Sequence, residues 1–197
     1  MTSTRQRVIL PKDWNFDLAD EMIDRIKSEF DPNDAVEELA PKVTGKPLDE
    51  AERLARAYFT DYGERWMART LELGNQYRDR TYETLVAAAE KTGDLGFPFI
   101  PERFVEIAYL STQPIYSLPI VENTRNAFSY RMVFCDTIGA VREHCGDDLA
   151  ERLPCAEACL TAARRAFEAH GMSVDVTQDA SLAGGGEYCQ FTVRPRP

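Results

Sequence analysis

The first 134 residues of this chain contain no cysteine, and the whole chain has only two histidines. His144 and His170 each lack a second histidine at ligand spacing, and the five cysteines never form a C-x2-C pair. Zinc fingers and ribbons are therefore excluded by spacing, and no metal and no cofactor are expected. Long apolar runs are missing as well: charged side chains interrupt every stretch short of the about 18 residues a membrane-crossing helix needs. The run before Pro11 has three apolar residues, too few for a signal-peptide core, so the cytoplasm is the expected compartment, with reduced thiols. Nor is there an excess of basic charge. With 23 basic and 33 acidic side chains interspersed, the net charge is -10, which argues against a nucleic acid or an acidic membrane surface as partner.

What is present fits a soluble globular protein of 197 residues, 44% hydrophobic and 28% charged. Leu18, Met22, Ile23, Ile26 and Phe30 recur at helical spacing, so a helix is expected over 16–30 with Asn15 or Asp17 as its cap. A shorter helix from Asp34 should stop at Pro41. The region 47–90 is helical in pattern, and Gly63 and Gly74 suggest breaks or kinks that divide it into two or three helices. Gly93 to Pro101 reads as a packed connector, and a further helix starts at Pro101. A helical region, 1–110, thus precedes a cysteine-containing region, 111–197, within what is expected to be one compact unit. The helical region is available for self-association.

Beyond residue 111 the pattern changes to strands. Phe128, Tyr130, Met132 and Phe134 alternate with Ser129, Arg131 and Val133, the period of a strand with one buried face. A helix over 137–143, a second from Pro154 to His170, and strands over 172–179 and 187–193 follow. The last two are joined too briefly for a parallel crossover. The expected fold is α+β, with helices packed on an antiparallel sheet.

Candidate chemistry gathers on the cysteines and the closing loop. Cys155 falls in the first turn of the Pro154 helix, where N–H groups and the helix dipole favour a thiolate, and Cys159 lies one turn on. Cys189 shares a strand face with Phe191 and Val193, and Gly184, Gly185 and Gly186 precede it, able to offer backbone donors to a carboxylate or oxyanion. Glu187, Asp179, Asp136 and Glu157 are nearby carboxylates, any one of which could act as general acid/base if desolvated, and spacing does not choose among them. The competing readings are small apolar core cysteines, a plain glycine-rich hairpin, and surface histidines at helix ends.

The pattern Cys135, Cys155, then Ala180-Ser-Leu-Ala-Gly-Gly-Gly-Glu-Tyr-Cys-Gln-Phe191 resembles the L-2-amino-thiazoline-4-carboxylic acid hydrolase family, chiefly over 126–193 and with an echo in Tyr62-Gly-Glu-Arg-Trp66. A similar ending occurs in vinyl-reductase-type small-molecule-binding domains. The first resemblance implies water-driven opening of a cyclic isothiourea-like C=N group. It places Cys155 and Cys189 as nucleophile or clamp, Gly185 and Gly186 at the substrate, and Cys135 and Gln190 as further substrate contacts. Glu187 stands where aspartate is usual, and Gln190 replaces the aspartate of a C-D-F ending. The second resemblance implies a non-catalytic binding or sensor module for a small molecule.

Overall fold

The computed structural model describes residues 19–93 and 95–197. Helices α1 (Asp20–Glu29), α2 (Pro32–Val43), α3 (Leu48–Gln76), α4 (Arg80–Thr92) and α5 (Phe99–Thr112) come first. Strands β1 (Ile120–Asn123) and β2 (Phe128–Met132), helices α6 (Asp136–Cys145), α7 (Asp147–Ala150) and α8 (Ala156–Glu168), and the hairpin β3 (Val174–Ala180) and β4 (Cys189–Pro195) complete an α+β fold. Among the described residues no helix is long and apolar enough to cross a membrane. The capping roles of Asn15 and Asp17 lie outside the described residues.

The sheet is antiparallel throughout in the order β1-β2-β4-β3. Its central pair sets Met132 opposite Cys189 and Tyr130 opposite Phe191. Strand alternation sends Phe128, Tyr130, Met132, Cys189, Phe191 and Val193 to one face, where all are buried. Tyr130 meets Tyr109 of α5, and Phe128 meets Phe167 of α8, as ring pairs at 5.5 and 6.1 Å. Each such buried ring contributes about 1.5–3 kcal/mol. The other face is polar: the Ser129 and Thr192 hydroxyls lie 2.6 Å apart, Thr192 donates to Asp179 at 2.5 Å, and Arg131 Nε donates to Gln190 at 2.8 Å.

Helix α3 is the long strut of the molecule and packs along α8, α5, α2 and α1. It is unbroken, so Gly63 and Gly74 do not divide it. Close approach explains them instead. A Cβ on Gly63 would stand 2.3 Å from the Ala158 carbonyl oxygen, and one on Gly74 would stand 2.7 Å from Phe104 Cε1. The chain turns at Tyr77 to Asp79, where the Asp79 carboxylate caps α4 by accepting from Tyr82 N–H at 2.8 Å. Helix α2 likewise runs through Pro41 to Val43, and Asp31 caps its start. Pro41 sits in the last turn, where burial of Leu39 and Val43 outweighs one lost bond. Buried side chains from Met22 to Val193 form a single core, and Phe97, just before α5, joins it against Phe167 at 5.2 Å.

Candidate functional site

Four of the five cysteines line one inner cavity. Cys189 opens β4 and is 7% exposed, and its sulfur accepts from Leu182 N–H at 3.3 Å and from Gln178 Nε2 at 3.7 Å. Cys155 is the residue before α8 and Cys159 lies a turn further, so both sulfurs face the sheet. Cys135 is the residue before α6, and the N–H groups of Thr137 and Ile138 point at its sulfur. Tyr62 and Trp66 from α3, and Tyr109 from α5, supply the opposite wall. The free volume is about 30 Å³, room for one or two water-sized groups and well below the about 150 Å³ that admits benzene in an engineered apolar cavity.

Desolvation governs these thiols. Cys155 is half-buried as a residue but its thiol is enclosed, and burial pushes its pKa up to about 12. The helix-end stabilisation expected for a Cys155 thiolate is thus overturned: two backbone N–H contacts offset only part of the burial cost. Cys159, fully enclosed, is likewise raised well above the ordinary thiol range by burial, despite a hydrogen bond with Tyr109. Cys135 and Cys189 are also raised by burial, and backbone N–H groups moderate the shift at both. All four are neutral thiols at neutral pH. Cys145 lies apart, at the end of α6, and its hydrogen-bonding neighbour is Thr44.

A second, open cavity of about 400 Å³ adjoins the first, sharing Cys135 and Ile138 as its floor. Its sides are Val133, Phe134, Gly139 and Arg142 on one hand and Leu182, Gly185 and Gly186 on the other. Val133 and Phe134 are 60% and 52% exposed here. The glycine loop is built by its own backbone: Gly185 takes φ +82, and a Cβ on Gly186 would lie 2.7 Å from Ser181 O. Gly185 N–H donates to Leu182 O at 3.1 Å, Gly186 N–H to Ser181 O at 2.9 Å, and Gly184 N–H to Ser181 Oγ at 3.3 Å. The expectation that these glycines supply free donors for an oxyanion is therefore corrected, because the turn itself uses their N–H groups.

Cys135, Cys155 and Cys189 meet at the inner cavity, whereas Gly185 and Gly186 belong to the outer one. Glu187 is exposed and lines neither. Gln190 lies on the opposite face of β4 from Cys189, held by Arg131 and by Asp179 at 3.4 Å. The alternative carboxylates are dispersed too: Glu157 pairs with Arg56, Asp179 accepts from Thr177 and Thr192, and Asp136 starts α6. His144 is half-buried and hydrogen-bonds Asn33 at 3.0 Å, while His170 Nδ1 meets the Ala166 carbonyl at 2.7 Å. Among the described residues no group of three or more His, Cys, Asp or Glu is arranged to hold a metal ion.

Sequence reasoning missed Tyr109, Trp66 and Arg142. The signal for Trp66 lay in Tyr62-Gly-Glu-Arg-Trp66: spacing of four puts both aromatics on one helix face, and the glycine between lets that face reach α8. No protein-family model matches the chain, and no curated protein matches it.

Proposed function

We propose that this protein is a thiol-assisted hydrolase that opens a small nitrogen- or sulfur-containing heterocycle at an amidine-like C–N bond. The observation that carries this reading is the position of Cys135, a thiol in the wall shared by an open cavity large enough for a ring and an inner pocket of further thiols. In this scheme the ring lies in the outer cavity, and Arg142 holds a carboxylate substituent if one is present. The Cys135 sulfur adds to the amidine carbon while the thiol proton passes to the imine nitrogen. Collapse of the adduct breaks the ring C–N bond: the lone pair of the exocyclic amino group forms a new C=N bond, and one of its protons passes to the ring nitrogen, which departs as a neutral amine carrying that proton and the one from the thiol. Water then adds to the sulfur-bound carbon, the C–S bond to Cys135 breaks, and a proton from water restores the thiol. A neutral thiol suits this sequence, because the basic group is the substrate's own nitrogen.

The test is incubation with 2-amino-thiazoline-4-carboxylate and related cyclic isothioureas, with products followed by mass spectrometry. A product heavier by one water is expected, and Cys135→Ser should remove most of the turnover while Cys145→Ser retains it. Unimpaired turnover in Cys135→Ser would refute the thiol role. The second reading, a non-catalytic small-molecule-binding module, is favoured by one observation: no carboxylate or imidazole lines either cavity. That reading requires a ligand-induced rise in melting temperature with no change in ligand mass.

A further inference from the structure

The inner cavity carries no charge: its lining residues include no acid, no base and no histidine. Its hydroxyls have partners. Tyr62 donates to Phe30 O at 2.8 Å, Thr112 donates to Ala108 O at 3.0 Å, and the Tyr109 and Tyr130 hydroxyls pair at 3.3 Å. Trp66 is the exception. It is 3% exposed, it lines the cavity, and its indole N–H has no acceptor among the described residues. An indole nitrogen can only donate, and buried donors are seldom left unmatched, because desolvation without a new hydrogen bond is unfavourable.

We propose that Trp66 is a binding residue that sets specificity, its Nε1–H donating to an acceptor atom on an uncharged polar head of the ligand. Thiocarbonyl, carbonyl and imine heads fit this description. Ionised heads do not, since a carboxylate or an amidinium would be desolvated with no counter-charge in the wall. The small volume limits the head to a terminal group of very few atoms, so the rest of the ligand stays in the outer cavity beside Cys135. The inference rests on the reading that these adjoining cavities receive the small-molecule substrate, and it adds that the head entering the inner cavity is uncharged, whatever charge the rest carries beside Arg142.

Thioacetamide, acetamidinium and acetate share a heavy-atom framework and differ in charge, which makes them suitable probes of the intact protein. In a ¹⁵N spectrum the Trp66 indole resonance, assigned by its absence in Trp66→Phe, should shift and saturate with thioacetamide and stay in place with the two ions. By calorimetry, Trp66→Phe should weaken thioacetamide binding about tenfold, the loss expected of one hydrogen bond to a buried donor. Should Trp66→Phe fail to fold, Trp14→Phe assigns the remaining indole signal and the wild-type titration decides. An unmoved resonance with thioacetamide, or an equal shift with acetate or acetamidinium, overturns the proposal. A resonance that moves in a protein without turnover sinks the hydrolase reading and leaves this one standing, whereas Cys135-dependent turnover with an unmoved resonance does the reverse.

Discussion

Cys135 and Cys155 each precede a helix, yet they differ in how far burial outweighs the helix end. At Cys155 the thiol is held neutral up to about pH 12, whereas an unfolded cysteine ionises near pH 8.5. The folded state therefore keeps a proton that the unfolded state has released, and stability falls as pH rises above the unfolded value. The slope from this one group is about 1.4 kcal/mol per pH unit at most. Urea midpoints at pH 7 and pH 10 should show a larger alkaline loss in the wild type than in Cys155→Ala, in which that thiol is gone. Tyr58, also pushed up to about 12 by burial, adds a loss of the same sign that begins above the ordinary tyrosine range. Equal alkaline losses in the two proteins would mean that Cys155 is not the enclosed thiol described above. The cysteine positions were legible in the sequence; their protonation was not, because helix ends can be read from Pro154 and spacing while desolvation depends on Tyr109, Trp66 and the sheet.

Helix α3 shows the same divide between what periodicity carries and what packing decides. Glycine in a helix interior is about 1 kcal/mol less favourable than alanine, which is why Gly63 and Gly74 read as breaks from sequence alone. The cost is accepted where two backbones touch. Gly63 faces the Ala158 carbonyl, a rigid atom inside α8, so Gly63→Ala must push the helices apart and should destabilise by about 1–3 kcal/mol in chemical denaturation. Gly74 faces the rim of the Phe104 ring, which can tilt, and the gain in helix propensity offsets the crowding. Gly74→Ala should therefore lie within about 1 kcal/mol of the wild type. Finding the two variants equally stable would remove the close α3–α8 contact as the reason for Gly63. The strands were legible in part: alternation places Phe128, Tyr130 and Met132, and Cys189, Phe191 and Val193, on the buried face, but the strand expected to run on to Phe134 ends at Met132, and Phe134 is exposed beside the outer cavity.

At the scale of the whole molecule, the residues that carry candidate chemistry lie mostly after residue 111, but the walls that enclose them do not. Tyr62, Trp66 and Tyr109 come from the helical region, and α8 seats Ala158, Ala162 and Ala166 against helices that precede it. A boundary near Gly93 to Pro101 is visible as composition, yet among the described residues those before 111 and those after it contribute to one hydrophobic interior. The segment 111–197 alone would expose the inner face of α8 and one side of Tyr130, and what remains is a four-stranded sheet with short helices and little buried area. That fragment is expected to give no cooperative unfolding transition by far-UV circular dichroism, whereas the full chain gives one. Adding 1–110 as a separate chain should restore both the transition and, if the thiol cavity is the site, the binding of thioacetamide. A fragment that unfolds cooperatively and binds alone would show that the helices are an accessory rather than the second wall of the site.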